Sequence, residues 1–108
     1  VINSESLSFL ISVPMQLILY TKPGCHLCEG LQEKLAKIQN LDLKLDIRDI
    51  TQRQEWFNAY QFEIPVLQLQ IHESHPIFLL PRPSPRSTVS QLEQMLKKHL
   101  SGKLPFEA

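Results

Sequence analysis

Cysteine is nearly absent from this 108-residue chain, which holds two, Cys25 and Cys28, in Cys-x-x-Cys spacing. A bridge between them would close a very short loop and remove little entropy from the unfolded chain, which excludes a staple that holds the fold together. Catalysis or metal binding is the remaining use of such a pair, and both suit a reducing cytoplasm. Net charge is absent too, since eleven Lys and Arg balance eleven Asp and Glu. Without an electrostatic footprint for nucleic acid or an anionic membrane, neither is expected as a partner. Long apolar runs are missing as well. The stretch Leu7 to Val13 falls far short of the roughly 20 apolar residues that cross a bilayer. Residues 1–14 contain no Lys or Arg, so the basic start of a secretory signal is lacking. Glycine amounts to three residues. Gly30 stands inside a helical pattern, where it costs about 1 kcal/mol relative to alanine, and a close backbone approach is the expected reason. No internal repeat or low-complexity tract is present.

What remains is a globular composition, 43% hydrophobic and 20% charged, in a length that suits one domain with one core. The expected layout is an N-terminal extension over 1–14, a domain over 15–101 and a loose C-terminal tail over 102–108. Gln16 to Tyr20 carries a short apolar run of the kind that forms a buried central strand. From His26 to Gln39, Leu27, Leu31, Leu35 and Ile38 recur at helical spacing and predict one buried stripe. Leu41 to Ile47 alternates strictly and reads as a strand with one wet face, parallel to the first because a helix joins them by a right-handed crossover. Thr51 and Gln54 have capping-box spacing for a short second helix reaching Tyr60, with Trp56, Phe57 and Tyr60 as packing residues.

Val66 to Ile71 and Ile77 to Leu80 flank the polar turn His72 to Pro76 and read as a hairpin. The proline-rich stretch Pro81 to Arg86 excludes helix and interior strand, which leaves a stiff surface loop. Ser87, Thr88 or Ser90 caps the last helix, Ser90 standing in capping-box spacing with Glu93. Val89, Leu92, Met95, Leu96 and Leu100 form its core stripe, and Gly102 ends it. The resulting order is β-α-β-α-β-β-α, an α/β fold with a four-stranded mixed sheet and three main helices.

The cysteines fall on the turn between the first strand and the first helix. A cysteine attacks as thiolate, and an unperturbed pKa of roughly 8.5 leaves only a few per cent ionised near neutral pH. The first turn of a helix has unpaired N–H groups and about half a positive charge, both of which favour an anion. Lys22 adds a full charge nearby in sequence. Together these lower the Cys25 pKa by about 2, a preference of about 2.7 kcal/mol for the thiolate. Cys25 is therefore the expected nucleophile. Cys28, one turn further in on the same face, is the expected resolving thiol, which attacks a mixed disulfide on Cys25. His26 is a candidate for tuning the pair, since a nearby imidazolium favours thiolate. A lone Cys-x-x-Cys also serves as half of a zinc site, for which His26, His72, His75 and His99 are the imidazoles on offer. Haem attachment is disfavoured, because Glu29 rather than histidine follows Cys28. A redox-inert scaffold is the other alternative.

The run Leu19-Tyr20-Thr21-Lys22-Pro23-Gly24-Cys25-His26-Leu27-Cys28 resembles the active-site segment of glutaredoxin-like proteins in the thioredoxin superfamily. Ile64-Pro65-Val66-Leu67 resembles the superfamily's cis-proline segment. The resemblance runs from about Met15 to Leu100 and is closest to a small group with His-Leu between the cysteines. It implies a thioredoxin-like fold of glutaredoxin type and thiol–disulfide exchange. Pro65, taken alone, would be a trans proline at a strand start; the resemblance implies a cis bond that faces the cysteines and leaves the Ile64 backbone free to pair with an extended substrate.

The resemblance further implies a disulfide-containing protein or glutathione as substrate, and glutathione or a reductase as electron donor. Some glutaredoxins instead hold an iron–sulfur cluster between two subunits, using the first cysteine and glutathione. Dithiol glutaredoxins more usually carry Pro-Tyr between the cysteines and a Gly-Gly pair after the hairpin, followed by an acidic residue. This chain has Arg82-Pro83-Ser84-Pro85-Arg86-Ser87-Thr88 there. Arg82, Arg86, Ser87 and Thr88, at the start of the last helix, become the candidates for holding a substrate carboxylate. No tightly bound cofactor is expected, glutathione entering as a co-substrate, and the chain is expected to act as a cytoplasmic monomer.

Overall fold

Leu17, Ile18 and Leu19 set the architecture, because all three are fully buried although neighbours in a strand point to opposite faces. Such a strand needs cover on both sides. The computed structural model describes residues 15–71 and 76–101. Its elements are β1 (Met15–Thr21), α1 (His26–Ala36), β2 (Leu43–Asp49), α2 (Gln54–Tyr60), β3 (Val66–Gln70), β4 (Phe78–Leu79) and α3 (Val89–Ser101), with a 3-10 turn, Ile50–Gln52, between β2 and α2. The sheet order is β2-β1-β3-β4. β1 pairs parallel with β2 and antiparallel with β3, and β3 pairs antiparallel with β4. The element order and the mixed sheet are those expected from the sequence.

Register places Leu17 between Leu45 and Leu69, and Leu19 between Ile47 and Leu67. This face, with Leu35 of α1 and Leu92, Leu96 and Leu100 of α3, forms the larger core. Ile18 and Tyr20 face the other way and join Ile50 and Val66 in a smaller core, closed by Trp56, Phe57 and Tyr60 of α2. The helices therefore divide two to one across the sheet, and β1 is sealed from both sides. β4 is only two residues long at the sheet edge. Pro76 and Pro81 bracket it, and neither has an N–H to extend the ladder.

Several local expectations need correction. α1 ends at Ala36 rather than Gln39, because Lys37 N–H bonds Lys34 O at 3.1 Å and Ile38 N–H bonds Leu35 O at 3.2 Å, tightening the last turn. Leu27 is 52% exposed, whereas Cys28 is 1% exposed. The buried stripe starts one residue round the helix from Leu27 and runs Cys28, Leu31, Leu35. The Thr51–Gln54 box does not form. Asp49 accepts the Thr51 N–H at 2.8 Å and the Thr51 hydroxyl at 2.7 Å, so Thr51 serves the 3-10 turn, and α2 starts after Arg53 without a side-chain cap.

At α3 the box is Thr88–Gln91: Thr88 Oγ1 accepts the Gln91 N–H at 3.1 Å, and Gln91 Oε1 accepts the Thr88 N–H at 2.9 Å. Glu93, expected to pair with Ser90, instead accepts from Asn40 at 3.2 Å and pairs with Lys97 at 3.2 Å. Among the described residues no backbone outside its own helix approaches Gly30 closely, since a methyl placed there would meet no such atom within 4 Å. The extension over 1–14, the tail over 102–108 with Gly102, and His72 and His75 lie outside the described residues. Among the described residues, no helix is long and apolar enough to cross a membrane.

Candidate active site

Lys22, Pro23, Gly24 and Cys25 turn the chain from β1 into α1. Cys25 N–H donates to Lys22 O at 3.1 Å, Pro23 fixes its own φ, and Gly24 takes φ of +83°, the combination that makes a type II turn. Glycine adopts this φ without steric cost. The turn delivers Cys25 to the N-cap of α1, at φ −85° and ψ 99°. Ser, Thr, Asp and Asn are preferred there because a side-chain oxygen accepts an N–H of the first turn. In this chain the acceptor is sulfur: Cys28 N–H points at Cys25 Sγ from 3.2 Å. A thiolate at this position would accept the same N–H as a charge-assisted bond and would sit at the positive end of the helix.

The two cysteines are joined in a disulfide, with Cα atoms 5.2 Å apart. Cys25 is half-buried and Cys28 fully buried, so an approaching molecule meets Cys25 first. Lys22 is exposed. Lys22, Cys28, Glu29 and Asp49 line an open hollow of about 190 Å³ on one side of the turn. The His26 side chain is 94% exposed, with Nδ1 3.0 Å from Glu29 Oε1. That ring nitrogen therefore faces the Glu29 carboxyl group. Hydrogen bonds from the Thr51 hydroxyl and amide hold the Asp49 carboxyl below its ordinary value.

The Ile64–Pro65 bond is cis, as the resemblance implied. Pro65 is buried and, with His26 and Leu27, lines a cavity of about 120 Å³ between the first turns of α1 and the loop after β4. The Ile64 backbone is not free, which corrects the expectation. Its N–H donates to Tyr60 O at 3.1 Å, and its carbonyl accepts Arg82 Nη2 at 3.2 Å. The same nitrogen donates to Glu63 O. Of the residues expected to hold a carboxylate, Arg82 is in the cavity wall and Arg86, Ser87 and Thr88 are not. Thr88 is engaged with Gln91. Lys34, which the sequence reading passes over, donates to Pro85 O at 2.8 Å. The proline-rich loop is therefore held at both ends, by its own Arg82 on the carbonyls of the cis-proline segment and by Lys34 of α1 on the carbonyl of Pro85.

A second arrangement not foreseen from sequence fixes the end of β1 from the α2 side. Arg48 donates to Tyr20 OH at 3.0 Å and to Asp46 Oδ2 at 3.0 Å, while Gln16 Nε2 donates to Asp46 at 2.8 Å. The guanidinium lies 5.6 Å from the Tyr20 ring centre and 5.5 Å from that of Trp56. Burial raises the Tyr20 pKa, against the opposing pull of the Arg48 hydrogen bond. The signal for it was the strict alternation of β2, which puts Asp46 and Arg48 on one face, with Arg48 opposite Tyr20 in the ladder.

Among the described residues, no three His, Cys, Asp or Glu side chains gather as a metal site. A family model described as Glutaredoxin-like domain (DUF836) matches residues 16–97. The chain belongs to that family. Membership of the glutaredoxin-like family agrees with the mixed sheet, the three helices and the cis-proline, which together make a thioredoxin-like α/β fold. A solved structure described as "Crystal structure of a designed protein" is similar over 96% of this chain and 93% of that one, with a TM-score of 0.54 and 19% identity, a likeness of fold alone. No curated protein sequence matches the chain. The glutaredoxin-like domain and the disulfide-bonded Cys25–Cys28 pair are consistent with a redox function.

Proposed function

We propose that this chain is a thiol–disulfide oxidoreductase in which Cys25 is the nucleophile and Cys28 the resolving thiol. One observation carries the reading: Cys25 Sγ stands at a helix N-cap and accepts the Cys28 N–H at 3.2 Å, half-buried, with its partner thiol buried behind it. In the reduced protein that N–H and the helix tip favour a thiolate on Cys25. The thiolate attacks one sulfur of a substrate disulfide. A bond forms between Cys25 and that sulfur as the substrate S–S bond breaks, and the other half leaves as a thiolate that takes a proton from water. Cys28 then gives up its proton and attacks Cys25 Sγ, which forms the internal disulfide and expels the second substrate thiolate. Two electrons pass from the cysteine pair to the substrate.

Two molecules of glutathione, or the dithiol of a reductase-type donor, return those electrons by the same exchange, and a rate comparison of the two donors identifies which serves. The substrate is a disulfide-bearing protein in a reducing cytoplasm, met by a monomer. Lys22 supports the thiolate by through-space attraction that salt screens over about 10 Å at 0.1 M. Alkylation of the reduced protein is expected to titrate Cys25 below about 7.5, and a midpoint near 8.5 would overturn the assignment. Cys25→Ser is expected to abolish exchange. Cys28→Ser is expected to accumulate mixed disulfides on Cys25; if none accumulate, Cys28 loses its role.

A further inference from the structure

Arg82 is tied to main chain that stands beside the cysteine turn. Tyr20 pairs with Val66 at one end of the β1–β3 ladder, so residues 63–65 run into β3 next to the turn over 22–25 that follows β1. Arg82 Nη2, which carries a pair of N–H groups, donates to the carbonyls of both Glu63 and Ile64. The amides of these residues are taken as well, each donating to Tyr60 O, at 2.8 Å and 3.1 Å. Every main-chain donor and acceptor of Glu63 and Ile64 therefore has a partner within the chain, and Pro65 has no N–H to offer.

Arg82 also stands at a crossing. With Pro65 it lines the cavity of about 120 Å³ that has His26 and Leu27 in its wall. The same two residues line a wider, open hollow of about 720 Å³ toward α2, with Tyr60, Phe62 and Leu79. An extended polypeptide passing from one hollow to the other would cross the Glu63 and Ile64 carbonyls, the acceptors its own N–H groups need. The guanidinium covers them. What remains of it offers donors only, and a second N–H on either oxygen would have to bring its positive end beside the Arg82 charge. Pro81 and Pro83 flank Arg82, which makes the backbone that carries this bar stiff and extended.

We propose that Arg82 is a specificity-determining residue that closes the main-chain edge beside Cys25, so that a substrate is engaged through its disulfide and side chains and not by strand-like pairing of its backbone. The inference rests on the thiol–disulfide reading above and adds to it the form in which the substrate cysteine is presented. A cysteine displayed on a folded surface meets this requirement, and one in an unfolded segment gains nothing from being extended.

The test uses the full chain and a short peptide whose single cysteine is held as a mixed disulfide with 2-mercaptoethanol, beside the same peptide N-methylated at the amides around that cysteine. Hydroxyethyl disulfide is the control without a peptide backbone. The readout is the ratio of kcat/KM for the plain peptide to that for the methylated one. With the parent protein the ratio is expected to lie close to one. Arg82→Ala, which uncovers the carbonyls, is expected to raise it, through KM, by about fivefold for each hydrogen bond the peptide gains. Arg82→Met, which keeps the stem and loses every N–H, is expected to do the same. Lys34→Ala frees the other end of the loop and leaves both carbonyls covered, so it is expected to keep the parent ratio. An unchanged ratio in a cooperatively melting Arg82→Ala or Arg82→Met would overturn the inference. So would an equal rise in Lys34→Ala, which would make loop mobility the cause, or a parent protein that already prefers the plain peptide by a similar factor. If the parent fails to reduce hydroxyethyl disulfide at all, the thiol–disulfide reading itself falls and the role of Arg82 falls with it.

Discussion

Asp49 ends β2 opposite Thr21, and its carboxylate holds the start of the 3-10 turn through the Thr51 amide and hydroxyl. Those two bonds lower its pKa from the ordinary 3.8. As pH falls, the unfolded chain takes up this proton before the folded one does. The stabilisation is therefore full above about pH 4 and is lost as the pH drops through the lower folded value. Asp49→Asn is expected to reduce stability at pH 7 and to flatten the acid limb of a stability–pH curve measured by urea unfolding between pH 2 and pH 7. An unchanged acid limb would remove Asp49 from this role.

The same scale marks where sequence reading stops. Cys25 and Cys28 were legible because a helix tip acts on the nearest residues, and the thiol one turn further in is the buried one. Ile64 was not. Its carbonyl is taken by Arg82, 18 positions away, and only the folded loop brings the two together.

At the scale of elements, α3 depends on its first turn. Thr88 and Gln91 satisfy each other's N–H groups reciprocally, and Thr88→Ala is expected to cost about 1 kcal/mol in urea unfolding, with Thr88→Ser restoring most of it. A residue that binds substrate would instead raise KM with stability intact, so one variant separates the two roles. The sequence had offered three candidate caps for α3 and a box on Ser90. Capping chemistry is degenerate at this resolution, since any Ser or Thr ahead of an apolar stripe fits, and the choice falls to the position where the chain leaves the proline-rich loop. That loop was legible as stiff and exposed from its prolines alone. Its attachment by Lys34 and Arg82 was not, because a lysine on an otherwise amphipathic helix gives no sign of the carbonyl it will meet.

For the molecule as a whole, element order and sheet composition were readable because each strand announces its surroundings. Leu17-Ile18-Leu19 has no polar side to show water, while Leu43, Lys44, Leu45 and Asp46 alternate in an edge strand. The division of the helices across the sheet emerged only in three dimensions, whereas the Arg48 network on the less covered side had its signal in the alternation of β2. Amides of β1 are expected to exchange with solvent deuterium only through global unfolding, and those around β4 through local opening. Comparable rates in the two strands, measured by native-state exchange, would contradict the sealed position of β1. Lys22 follows directly on Thr21, the last residue of that strand. Under the proposed exchange the attacking sulfur is thus mounted just past the end of a strand buried on both faces, and its aim is inherited from that scaffold.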